Sequence, residues 1–93
     1  MQLSTEDQRE LRDAAAYAWR QSGGRYLRSA AIFAADSRVK TIAKVDPATI
    51  IFLLQIAYKL WRWWRANKIS DPMDVRTHSI ILHGDEPSFG GDE

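Results

Sequence analysis

The chain has no cysteine. That removes a disulfide framework and any thiolate metal site. It has 93 residues, one domain at most, and a chain of this length buries only roughly 60–65% of the surface its unfolded form exposes. Helix packing, a bound partner or oligomerisation must therefore stabilise it. A secretory leader is not expected. The N-terminus, MQLSTEDQRELRD, is polar and acidic, without the basic start and apolar run such a leader needs. The expectation is cytoplasmic synthesis without export, with a final location in a large assembly or at a membrane.

The hardware of catalysis is sparse. His78 and His83 lie five apart, and on a strand an odd spacing puts them on opposite faces, poor geometry for one metal. Ser22-Gly23-Gly24-Arg25 lacks the lysine and hydroxyl pattern of a P-loop, and a helix stop explains it. Glu6 and Glu10 share one helix face and suit a solvated surface. No serine–histidine pairing suggests nucleophilic catalysis. The expectation is a non-enzymatic protein with no catalytic, cofactor-binding or metal residues and no small-molecule substrate.

Charge is unevenly placed. The net charge of +1 hides three blocks. Residues 1–19 sum to −2 (Arg9 and Arg12 against Glu6, Asp7, Glu10 and Asp13). Residues 20–68 sum to +8, with ten basic groups against Asp36 and Asp46. Residues 69–93 sum to −5, with Arg76 against six acids. A basic middle between acidic ends suits an anionic partner for the middle, or neutralisation by the ends within the chain or between copies.

Local signals divide the chain into helices. Ser4-Thr5-Glu6-Asp7 offers capping hydroxyls followed by early carboxylates. Leu11, Ala15, Ala18 and Trp19 then recur at helical spacing, and Gly23-Gly24 closes the element. A first helix is predicted over about 5–22, with a stripe that is mostly alanine. Residues 26–44 are helical as well. Asp36-Ser37 is able to cap a separate short helix, so one bent helix and two short ones both fit. Asp46-Pro47 is a cap followed by the residue best suited to the first helical position. No glycine or proline follows until Pro72, so a long helix is predicted over about 47–67. Val75 to His83, VRTHSIILH, reads as an extended arm. Residues 84–93 read as an acidic flexible tail. The fold class is all-α, with residues 1–83 as a single small unit.

The long helix carries the functional expectation. On a helical wheel Gln55, Lys59 and Arg62 form one narrow polar stripe. Nearly everything else is apolar or aromatic, from Ile50 to Trp64, as in a helix covered on most sides by protein or lipid. The alanine-rich first helix and the few large apolar groups of residues 25–44 look insufficient to cover it. An uncovered patch of that size marks an interaction site, and tryptophan and arginine are enriched where interfaces carry their energy. The residues expected to contact a partner are Ile50, Leu53, Leu54, Tyr58, Trp61, Trp63 and Trp64. Arg62 and Arg65 are the expected anion contacts.

The adopted expectation is a structural subunit of a larger assembly, whose partners are other protein subunits including copies of itself. The first alternative is membrane association, with residues 48–64 embedded in lipid. The order of an Ile/Leu run followed by Lys-Leu-Trp-Arg-Trp-Trp-Arg suits a membrane boundary. The second alternative is nucleic-acid binding through basic groups and stacked tryptophans, although no zinc spacing, RNA-recognition signature or clear helix-turn-helix is present. The Asp-Pro start, isoleucine/leucine helix and aromatic-basic end, about twenty residues in all, resemble small accessory proteins of phage genomes. That resemblance implies a virion or phage particle as the assembly.

Overall fold

The computed structural model describes residues 3–67. Four α-helices account for most of them: α1 (Thr5–Ser22), α2 (Tyr26–Ala35), α3 (Ser37–Ala43) and α4 (Pro47–Ala66). The protein is all-α, and no strand occurs among the described residues. The arm expected at 75–83 and the tail at 84–93 lie outside the described residues.

Each helix begins and ends for a local reason. Ser4 is extended, and its Oγ accepts from the Asp7 amide at 3.1 Å, with Glu6 and Asp7 in the positive first turn. At the other end Gly23 and Gly24 take φ values of 66° and 81°. The Gly24 amide donates to the Trp19 carbonyl and the Gly23 amide to the Arg20 carbonyl. This pair of bonds is the Schellman closure that satisfies the last free carbonyls. Space adds a second reason for glycine at 24, because a Cβ there would sit 3.3 Å from the Trp19 ring.

The open question over residues 26–44 resolves as two helices. Asp36 is extended (φ −70°, ψ 134°) and serves both neighbours. Its amide donates to the Phe33 carbonyl, closing α2. Its carboxylate accepts from the Arg38 amide at 2.9 Å, opening α3. The Arg38 guanidinium then folds back on the same carboxylate at 2.9 and 2.7 Å. One residue that cannot be helical while capping separates the elements.

Asp46 opens α4 with both oxygens. One accepts from the Ala48 amide at 3.2 Å and the other from the Thr49 hydroxyl at 2.7 Å, with Pro47 at the helix start. Immediately before it, Lys44 and Val45 both have positive φ, 51° and 60°. For a β-branched residue this is a strained conformation.

The core gathers residues from all four helices. Leu11, Phe33, Val39, Leu53, Leu60, Trp61 and Trp64 are buried together with Ala14, Ala15, Ala16, Ala18, Ala43 and Ala57. This corrects the expectation that α4 lacks cover. Leu53, Trp61 and Trp64 are at most 1% exposed. The physical reason lies in the alanines. A small-residue stripe buries little area of its own, but it lets a large indole come close, and large-against-small packing fills the space. Trp61 Nε1 donates to the Ala15 carbonyl at 3.4 Å, and its ring meets Phe33 edge-on at 6.0 Å between centroids.

Candidate docking groove

The buried arc of α4 contains Thr49, Leu53, Ala57, Leu60, Trp61 and Trp64. Turning the wheel away from that arc brings up Ile51, Leu54 and Tyr58, spaced three and four apart on one narrow stripe. Ile51 is 58% exposed and Tyr58 47%, while Leu54 is half-buried. On the facing helix, Leu27 is 90% exposed. It lies one residue off the stripe that sends Ser29 and Phe33 inward.

Together these residues form a groove of about 450 Å³ between α2 and α4. Tyr26, Leu27 and Ala30 line it from α2, and Ile51, Leu54, Tyr58 and Trp61 from α4. Gln55, Lys59 and Arg62 complete the wall. The floor is therefore largely apolar, and beside the two tyrosine hydroxyls the polar side chains are one amide and two cations.

Aromatic contacts fix the wall. Tyr26 and Tyr58 meet at 5.6 Å between centroids, and Trp19 lies 5.6 Å behind Tyr26. Trp19 also meets Trp64, at 6.1 Å. Arginine side chains lie over the two tyrosines: the Arg62 guanidinium carbon is 5.9 Å from the Tyr58 ring and that of Arg65 is 5.5 Å from Tyr26. Cation–π contact within about 6 Å is attractive and holds both cations beside the groove.

Behind the groove the α1–α2 corner is pinned by a buried serine pair. Ser22 Oγ and Ser29 Oγ are 2.6 Å apart. Ser22 Oγ also donates to the Trp19 carbonyl at 2.9 Å and accepts from the Arg25 amide at 3.2 Å. With its proton directed to Trp19, the Ser29 hydroxyl is the donor of the pair.

The expected contact residues thus separate. Tyr58 is exposed and Leu54 half-buried in the groove. Ile50 and Trp63 are half-buried beside the core. Leu53, Trp61 and Trp64 belong to the interior, and only Trp61 among them reaches the groove wall. Of the two expected anion contacts, Arg62 lines the groove and Arg65 lies over the Tyr26 ring beside it. Sequence reasoning missed Leu27, Ala30 and Ile51. The Ile51–Leu54–Tyr58 stripe could have been found beside the Gln55–Lys59–Arg62 stripe, but the surrounding apolar residues hid it.

The buried indoles also bear on the alternatives. Trp61 and Trp64 have no exposed face to stack on bases. Among the described residues no helix is long and apolar enough to cross a membrane, and no three metal-capable side chains cluster. Ser22-Gly23-Gly24-Arg25 closes α1 and pins α2, as a helix stop does. Comparison of the chain with protein families, with curated proteins and with solved structures gives no match.

Proposed function

We propose that this protein is a non-enzymatic interaction subunit that docks other protein subunits, including copies of itself, through the α2–α4 groove. The observation that carries the reading is the set of large apolar side chains left in contact with water on one face. Leu27, Ile51 and Tyr58 are exposed side by side although α4 has buried two tryptophans and two leucines. Contiguous exposed apolar surface of this kind marks an interaction site.

Charge narrows the partner. From Tyr26 to Ala35 and from Pro47 to Ala66 there is no aspartate or glutamate, but there are Arg28, Lys59, Arg62 and Arg65. An occupant therefore needs apolar residues for the floor and acids for the wall. Two grooves meeting face to face would bring like charges together, which disfavours that symmetric pairing.

Sedimentation of the full chain over rising concentration tests the proposal. The expected result is a reversible shift to masses above the 10.7 kDa of one chain, weakened by added salt. A monodisperse monomer at every concentration would overturn it.

A further inference from the structure

We infer that the occupant of the α2–α4 groove is the chain's own C-terminal segment, residues 75–93. The inference rests on the groove being the docking surface, and it names the ligand. The groove asks for an apolar stretch flanked by acids. The chain holds acids in two blocks, and they differ in what accompanies them. In α1, Glu6, Asp7, Glu10 and Asp13 share a helix whose Leu11 and alanines are already buried, so that Tyr17 is the one large apolar side chain it leaves exposed. Residues 75–93, VRTHSIILHGDEPSFGGDE, place Ile80-Ile81-Leu82 two residues before Asp85-Glu86, with Phe89 and then Asp92-Glu93 behind. Ile80 to Leu82 match the floor of Leu27, Ile51 and Leu54. The acids match the cations carried by α2 and α4.

Length permits the contact. The lining of α4 from Ile51 to Arg62 spans about 16 Å at 1.5 Å per residue. Residues 68–74, between the end of α4 and the segment, reach up to about 23 Å when extended. The segment can therefore turn back onto the groove of its own molecule, where tethering gives an effective concentration of order millimolar. The same contact made with a neighbouring molecule joins two copies by exchange of identical elements. One contact thus closes the single chain at low concentration and links chains at high concentration.

The absence of cysteine allows a clean test on the full chain. A nitroxide is attached at Ser79→Cys, and amide signals are compared before and after its reduction. The expected result is loss of most signal intensity at Leu27, Ile51 and Tyr58, with markedly smaller loss at Glu6 and Arg9 near the start of α1. Leu27→Asp, or Asp85→Asn with Glu86→Gln, should restore at least half of the lost intensity, as should high salt. Mixing nitroxide-bearing chains with unmodified isotope-labelled chains shows whether the contact is made within or between molecules, and broadening at the groove supports the inference in either case. Unchanged groove signals, or broadening spread evenly over the protein, would overturn it. Concentration-dependent assembly without groove broadening would overturn this inference while leaving the groove as a site for some other occupant. Absence of assembly at every concentration would remove the docking of copies, and absence of groove broadening as well would remove the groove as a docking site.

Discussion

The indole nitrogen of Trp61 reaches the main-chain carbonyl of Ala15 at 3.4 Å, across 46 positions of sequence. The contact joins α4 to α1 and requires alanine at the crossing, since a larger side chain would hold the ring away. The bond itself is long and weak. What it marks is the depth of burial of the ring, which is 1% exposed.

Truncating that ring should be costly. Trp61→Ala is expected to destabilise the fold by about 3–5 kcal/mol, through lost contacts and the cavity left behind. Trp61→Phe should cost much less. Trp61→Ala combined with Trp64→Ala should unfold the chain rather than report on docking, so reduced size of that variant would not identify an interface. Chemical denaturation followed by circular dichroism separates the cases. Near-wild-type stability of Trp61→Ala would show that the α1–α4 crossing is loose.

Val45 points to a site where stability can be gained. Its φ of 60° costs roughly 1–2 kcal/mol for a residue with a Cβ, and its side chain is 84% exposed, so nothing is lost by removing it. Val45→Gly should stabilise by about 0.5–1 kcal/mol after the added flexibility of glycine in the unfolded chain is counted. At this chain length the melting temperature should rise by roughly 2–8 °C. A fall in melting temperature would mean that the left-handed turn before Asp46 is not as described.

Asp36 makes one step of the stability pH-dependent. The side-chain hydrogen bond from Arg38 is the main cause holding its carboxyl below the ordinary 3.8, with burial opposing and the Arg38 amide and charge assisting. A carboxyl lowered in the folded state stabilises fully above its unfolded value. That contribution is lost as pH falls through the lower folded value. Asp36→Asn keeps a capping oxygen but loses the charge. The variant should be less stable than wild type at neutral pH, and the gap should close below about pH 4. Denaturation midpoints of the two proteins between pH 7 and pH 2 provide the check, and a gap constant over that range would contradict this role.

The elements were legible in the sequence because their ends are written locally. Ser4, Gly23-Gly24 and Asp46-Pro47 each set a boundary through hydrogen bonds within a few residues. The division at Asp36 was visible only as an option, because the same residues suit one bent helix until the extended backbone at Asp36 is known. The candidate site was harder to see. Which faces of α4 are covered depends on residues far away in sequence, above all on how closely α1 approaches. Composition made the alanines of α1 look like too little cover, when their smallness is what admits Trp61. Leu27 was overlooked because a single leucine among alanines carries no pattern of its own. It becomes conspicuous only beside Ile51 and Tyr58.

The most direct test of the groove compares two exposed-surface variants by sedimentation over the same concentration range: Leu27→Glu with Ile51→Glu in the groove, and Tyr17→Glu on α1, where the tyrosine is 43% exposed. Both should keep wild-type helicity, because neither replaces a buried side chain. The account predicts that the groove variant stays monomeric while the Tyr17 variant assembles as wild type does. Equal assembly of the two variants would contradict it and move the docking surface elsewhere on the protein.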